Sequence, residues 1–361
     1  MSISEFIKKK FKSIRYGQPG YMAETPAVNM TNILLNPKNI LIIPYNRMGT
    51  ILLSSRVFKS IREHYPSAKI TVAAYEPWSV LISKDPTINQ VLVFGDDIDN
   101  PSSKGFQAIG KALAKQNFDL AFYLSYQYDP IVAYLLRLSE ADLRVSFKSD
   151  DEAHYFNVEI IPGNKARYEV DRYLEMLRTI GIVGSIRDYT LKIGDSIRNK
   201  ARLRYLPGYQ SKSKSQYIGF DITMEISGEP INKKNAEHAI NALVSSFKIP
   251  VIVFFEPEKK PIAAELKETF GKQIILVEDR PISMVAGLMS FCRFVVTHNT
   301  DLFQLAIALK IPTIGILTGK EIIQWSPGEN ENLIHLERSD SYWPSSSQII
   351  KSAKQLIRQT S

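Results

Sequence analysis

Residues 291–319 read FCRFVVTHNTDLFQLAIALKIPTIGILTG, and this stretch decides the fold. Phe294 to Thr297 is a short apolar run suited to a strand buried on both faces. Asn299, Thr300 and Asp301 then supply N-cap chemistry ahead of a helical face of Leu302, Leu305, Ala306 and Leu309. Pro312 to Leu317 makes the next strand, with Thr318-Gly319 expected as its loop. A strand, cap, helix and strand in this order leave backbone N–H groups free beyond the strand end. That suits an anion such as a diphosphate.

The same alternation extends on both sides. Ile40–Pro44, Ile70–Ala74, Val91–Phe94 and Leu120–Leu124 read as strands, with Arg144–Phe147 as a further one. The helices between them run from the loop at Asn46–Thr50 to about Tyr65, over Gly105–Gln116 and over Pro130–Leu138, and Tyr168–Thr179 closes the set. A second alternation starts at Tyr217, with strands to Asp221, at Val251–Phe255 and at Ile274–Val277, and helices at Asn232–Phe247 and Pro261–Phe270. Repeated β–α units of this length imply parallel, doubly wound sheets. The expected layout is an arm and linker over 1–36, a first domain over 37–190, a linker over 191–215, a second domain over 216–340, and a C-terminal helix within 341–361 that crosses back to the first domain.

Bulk properties narrow the function. With 361 residues, 44% hydrophobic and 23% charged, the chain can build two cores. The net charge of +8 suggests nucleic acid until it is located. Residues 1–15 carry Lys8, Lys9, Lys10, Lys12 and Arg15 against Glu5, and the tail from Ser346 carries Lys351, Lys354 and Arg358 with no acid. The middle is close to neutral, with no basic stripe for DNA or RNA. Ile3, Phe6, Ile7, Phe11 and Ile14 with lysines between them read as an amphipathic helix for an anionic membrane surface. A signal-peptide core and a membrane-spanning run are not expected, so the protein is placed in the cytoplasm, peripheral on the inner face of the cell membrane. The single Cys292 excludes a disulfide framework, and beside a strand it reads as an inert buried thiol. Neither a His-Glu-x-x-His nor a Gly-x-x-x-x-Gly-Lys-Ser/Thr pattern occurs, and no metal and no cofactor is expected.

Residues 298–312, His-Asn-Thr-Asp-Leu-Phe-Gln-Leu-Ala-Ile-Ala-Leu-Lys-Ile-Pro, resemble the C-terminal signature of glycosyltransferase family 9, the bacterial lipopolysaccharide heptosyltransferases. That signature is roughly Asn-Asp-Thr-Gly-x-x-His-x-Ala-x-Ala-x-x-x-Pro. Thr300, Ala306, Ala308 and Pro312 match. Asn299 stands at the family's Asp, Asp301 at its Gly and Gln304 at its His. The resemblance implies the α/β GT-B fold, two Rossmann-like doubly wound domains with an interdomain cleft. It also implies donor contacts from His298, Asn299, Thr300, Asp301, Gln304, Thr318, Gly319 and Lys320, with Glu258 near the nucleotide ribose. Asn46, Arg47 and Gly49 would face the acceptor. Thr50 occupies the place of the family's general base, an Asp after Gly, and a hydroxyl lacks the pKa for that work. Asp129 and Glu76, each just beyond a strand end, are the candidate replacement bases, and both also read as helix caps. The family's basic segment has no match; Lys233 or Lys234 would have to stand in beside Glu229. Trp325-Ser326-Pro327-Gly328 matches a structural turn of the family.

The expected function is a metal-independent inverting glycosyltransferase that uses a nucleotide-diphosphate sugar and a glycan or glycolipid acceptor of the bacterial surface. The alternative is a catalytically inactive binding or scaffolding protein of the same fold. A nucleotide-sugar epimerase of similar double-Rossmann shape finds no support in the motif region.

Overall fold

The computed structural model describes residues 30–44, 47–149, 155–163, 167–183, 191–206, 217–223, 231–278, 281–339 and 342–360. The amphipathic run at 1–15 therefore lies outside the described residues. Two compact units emerge: one takes in 54–165 and 170–186 with the chain before Arg47, the other Arg47–Leu53, Ala166–Glu169 and Arg187–Ser361.

In the first unit a short helix α1 (Met30–Leu35) precedes β1 (Asn39–Pro44). Then come α2 (Met48–His64), whose residues up to Leu53 group with the second unit, β2 (Lys69–Tyr75), α3 (Glu76–Ile82), β3 (Gln90–Phe94), α4 (Lys104–Ala114) and β4 (Leu120–Leu124). The unit ends with α5 (Pro130–Leu138), β5 (Leu143–Phe147), β6 (Val158–Ile160) and α6 (Glu169–Thr179). Its six strands are all parallel, in the order β3-β2-β1-β4-β5-β6. Ile40 to Ile43 are wholly buried, as a strand covered by helices on both faces requires. The α2 positions Ile51, Leu52, Ser55, Phe58 and Ile61 are buried, but so are Leu53, Ser54, Arg56, Val57 and Ser60, so the helix is enclosed on most sides rather than along one stripe.

The second unit contains α7 (Asp195–Tyr205), β7 (Tyr217–Asp221), α8 (Lys233–Phe247), β8 (Val251–Phe255), α9 (Lys260–Phe270), β9 (Ile274–Glu278) and α10 (Ile282–Met289). It continues with β10 (Cys292–His298), α11 (Asp301–Ala308), β11 (Thr313–Leu317), α12 (Gly319–Trp325), β12 (Leu333–Glu337) and α13 (Ser346–Thr360). The sheet is again parallel, ordered β12-β11-β10-β7-β8-β9. Both sheets thus fold outward from a central pair, β1/β4 and β7/β10, where the direction of winding reverses. Ligands of such sheets bind beyond the strand ends at that reversal.

The C-terminal helix α13, expected to cross back to the first domain, packs into the core of the second unit: Ile349, Ala353 and Leu356 lie there with residues of α8 and β12, and Ser346 Oγ donates to His238 O. Its amphipathic spacing marks a buried face without saying which sheet covers it. Residues 195–205 form the short helix expected ahead of the linker, and it is packed. Ala201 is buried against α10, where a Cβ on Gly287 would come 3.0 Å from Ala201 Cβ. The turn at Thr318-Gly319 continues into α12 rather than a loop. Cys292 is buried as expected, and burial pushes its thiol pKa up.

Glycines flank β10 on both sides. Gly219 pairs with Val295 and Gly315 with Thr297. The Phe303 ring of α11 lies over Gly315, where a Cβ would meet its Cε2 at 2.7 Å. The missing side chain is what lets α11 sit close to the sheet. Gly315→Ala is expected to destabilise the fold by about 1–3 kcal/mol through overpacking, read as a lower midpoint of chemical denaturation with an unchanged slope.

Candidate functional site

At the reversal point of the second sheet, the ends of β7 and β10 meet in a buried polar cluster. Asp221, the last residue of β7, is 1% exposed. Its Oδ2 accepts the hydroxyls of Thr297 (2.7 Å) and Thr300 (2.6 Å). Its Oδ1 accepts the Thr223 backbone N–H (2.8 Å) and hydroxyl (2.7 Å). A buried carboxylate is tolerable only when donors surround it, and four do so here. Thr300 is the N-cap of α11, its Oγ1 facing the Phe303 N–H at 3.4 Å.

The next residue on the turn faces a second cluster. Asn299 Nδ2 donates to Glu321 Oε1 (2.8 Å), and Arg338 Nη2 bonds both oxygens of the same carboxylate (3.2 and 3.3 Å). Glu321 also closes a capping box: Thr318 N–H donates to its Oε2 (2.8 Å) while Glu321 N–H reaches Thr318 Oγ1 (3.3 Å).

A third group forms on the start of α11. Asp301 Oδ1 accepts the Gly49 N–H at 3.1 Å. Gln304, 3% exposed, donates through Nε2 to Trp325 O at 2.7 Å. Burial raises the Asp301 pKa above the ordinary carboxylate range; Arg47 and the Gly49 N–H oppose the rise, and the Asp221 charge adds to it. His298 is 1% exposed, its ring edge-on to Trp343 at 6.3 Å.

The structure therefore brings together Arg47, Gly49, Asp301 and Gln304, and separately Asn299, Thr300 and Thr318, whose side chains serve internal bonds. Thr50 is half-buried in the first turn of α2, and Gly319 opens α12. Asn46 lies outside the described residues. Lys320 and Glu258 are exposed. Asp129 caps α5, its Oδ1 accepting the N–H groups of Ile131 (2.9 Å) and Val132 (3.3 Å). Glu76 is exposed in the first turn of α3. Both favour the cap and surface readings over a base. Lys233 pairs with Glu265 and Glu237, and Lys234 is exposed. Sequence reasoning missed Asp221, Thr223, Glu321 and Arg338. Thr318-x-x-Glu321 is a visible capping-box pattern; the others carry no local signal. Among the described residues no group of three or more His, Cys, Asp or Glu could hold a metal ion, and no helix is long and apolar enough to cross a membrane.

The raised Asp301 pKa has a definite sign. Folded Asp301 keeps its proton to higher pH than unfolded Asp301, so its contribution is whole below the ordinary carboxylate range and is lost as pH rises through the raised value. Asp301→Asn keeps an acceptor for Gly49 and carries no charge. It is expected to raise the melting temperature at neutral pH, with the gap closing as pH falls below the ordinary carboxylate range. Paired thermal melts across pH check this.

No protein-family model matches the chain. An Escherichia coli protein, lipopolysaccharide heptosyltransferase 3, is 33% identical over 319 residues, covering 81% of this chain and 86% of that one. The solved glycosyl transferase family 9 structure from Veillonella parvula DSM 2008 superposes with a TM-score of 0.76 at 17% identity, covering 89% of this chain and 98% of that one. E. coli heptosyltransferase WaaC with ADP-2-deoxy-2-fluoro heptose superposes with a TM-score of 0.63 at 17% identity, covering 90% and 100%. With the two reversing parallel sheets of the GT-B fold and a relative this similar along most of its length, the chain belongs to glycosyltransferase family 9, the lipopolysaccharide heptosyltransferases.

Proposed function

We propose that the protein transfers a heptose or related sugar from a nucleoside-diphosphate donor to a hydroxyl of a lipopolysaccharide acceptor, with inversion and without a metal ion. The observation that carries this reading is the braced turn His298–Asp301 at the β7/β10 reversal, in a chain of this family. WaaC is solved with an ADP-heptose analogue, which makes an ADP-sugar the first donor to try here. The donor lies over the carboxyl ends of β7 and β10. Exposed Lys320, just past β11, supplies charge opposite the diphosphate.

A second reading, a nucleotide-binding protein without turnover, draws on Thr50 in place of a carboxylate and on the internal commitments of Asn299, Thr300 and Thr318. ADP and ADP-heptose are expected to raise the melting temperature, by about 2.7 kcal/mol of stabilisation at a hundredfold excess over Kd. ADP-heptose is also expected to be consumed when a deacylated core oligosaccharide is added. Binding without consumption would favour the second reading, and no stabilisation by any nucleotide would defeat both.

We further propose that residues 1–15 hold the protein on an anionic membrane, supported by their five basic side chains against one acid. The full chain should co-sediment with phosphatidylglycerol vesicles, weakly at high salt, and a chain starting at Met30 should not. Equal sedimentation of the two would remove the claim.

A further inference from the structure

The carboxylates around the α11 start differ in what their oxygens do: Asp221 and Glu321 are buried, and Asp301 is half-buried. Both oxygens of Asp221 are filled by Thr223, Thr297 and Thr300. Both oxygens of Glu321 are filled by Asn299, Thr318 and Arg338. Asp301 is different. Its Oδ1 accepts the Gly49 N–H, and its Oδ2 has no hydrogen-bond partner among the described residues.

One turn along the same helix face, Gln304 Oε1 is buried and also has no partner among the described residues. Gly49 lies against both side chains: a Cβ there would come 2.8 Å from Asp301 Oδ1 and 3.3 Å from Gln304 Cγ. Asp301 Oδ2 is the acceptor this face presents, with the enclosed Gln304 Oε1 behind it. A carboxylate oxygen and an amide oxygen accept from hydroxyls, and the carboxylate repels a phosphate. The chemistry that fits is a sugar carrying free hydroxyls.

We propose that Asp301 is the general base of the transfer. The assignment rests on the transferase reading above. The acceptor oxygen forms a bond to the anomeric carbon of the donor, and the bond from that carbon to the diphosphate oxygen breaks. Its electron pair leaves with the diphosphate, and the hydroxyl proton passes to Asp301. Burial lifts the basicity of Asp301 toward the working pH, where a general base is most effective. The charged groups facing it are Arg47, which opposes that lift, and Asp221, which adds to it. The carboxylate enters from the start of α11, next to Gly49-Thr50, rather than from position 50 itself.

The test uses the full chain with ADP-heptose as donor and a deacylated, heptose-bearing core oligosaccharide as acceptor. The parent should show an acid limb in kcat above the ordinary carboxylate range. Asp301→Asn should lower kcat by about 10²–10⁴-fold with little change in the donor KM, and the limb should vanish. Adding Thr50→Asp to Asp301→Asn should return part of the rate, which a structural role for Asp301 would not allow. If the parent turns over and Asp301→Asn stays within about threefold of its kcat with the same limb, the assignment is overturned and the transferase reading stands. If the parent consumes no donor, both fall. Should Asp301→Asn fail to fold by circular dichroism, the parent profile decides: a limb within the ordinary carboxylate range, or none, overturns the assignment.

Discussion

The Asp221 carboxylate is the interaction on which the second unit's site depends. It ends one strand, and it holds two threonines that bracket the turn leaving the neighbouring strand. Thr297 and Thr300 are three residues apart, so gripping both fixes the turn between them, including His298 and Asn299. With the turn fixed, the first residues of α11 are fixed too, and Asp301 is held at its place beside Gly49. A site that must present one side chain to a reacting atom needs this kind of support from groups that do no chemistry themselves.

Three carboxylates serve one short region, and each is accommodated differently. Asp221 is surrounded by neutral donors, which stabilise its charge without another charge. Glu321 has one guanidinium nitrogen against both of its oxygens, and an amide. Asp301 has a single backbone N–H, and burial raises its pKa above the ordinary carboxylate range. The first two are structural because they are satisfied. A half-buried acid with one donor beside two fully bonded ones is the pattern of function held at a cost to stability.

Much of the fold is legible in the chain because strands buried on both faces must be continuous apolar runs. Ile40–Ile43, Val251–Phe255 and Ile314–Leu317 announce themselves in this way. The edge strands β6 and β12 are short and mixed in character, as in Leu-Ile-His-Leu-Glu, and escape that rule. The helix α10, Ile-Ser-Met-Val-Ala-Gly-Leu-Met, is apolar on most sides and has no period to read. At the site, the Thr300 cap is a local signal and can be read. The partners of Asp221 lie 76 and 79 residues away, and Arg338 reaches Glu321 across 17; only the folded sheet order brings them together. The same limit kept Asp129 and Glu76 in view as bases, since a helix cap and a reactive acid look alike until their hydrogen bonds are known.

The contact between Asn299 and Glu321 bears on how position 299 is judged. Taken alone, an amide where relatives of this family carry an acid looks like a lost function. Its neighbour is a carboxylate already engaged by an arginine, at 2.8 Å from the amide nitrogen. An acid in that place would set two negative oxygens against each other, and one would have to keep a proton. The amide and the glutamate are thus a matched couple, and positions 299 and 321 can only be exchanged together.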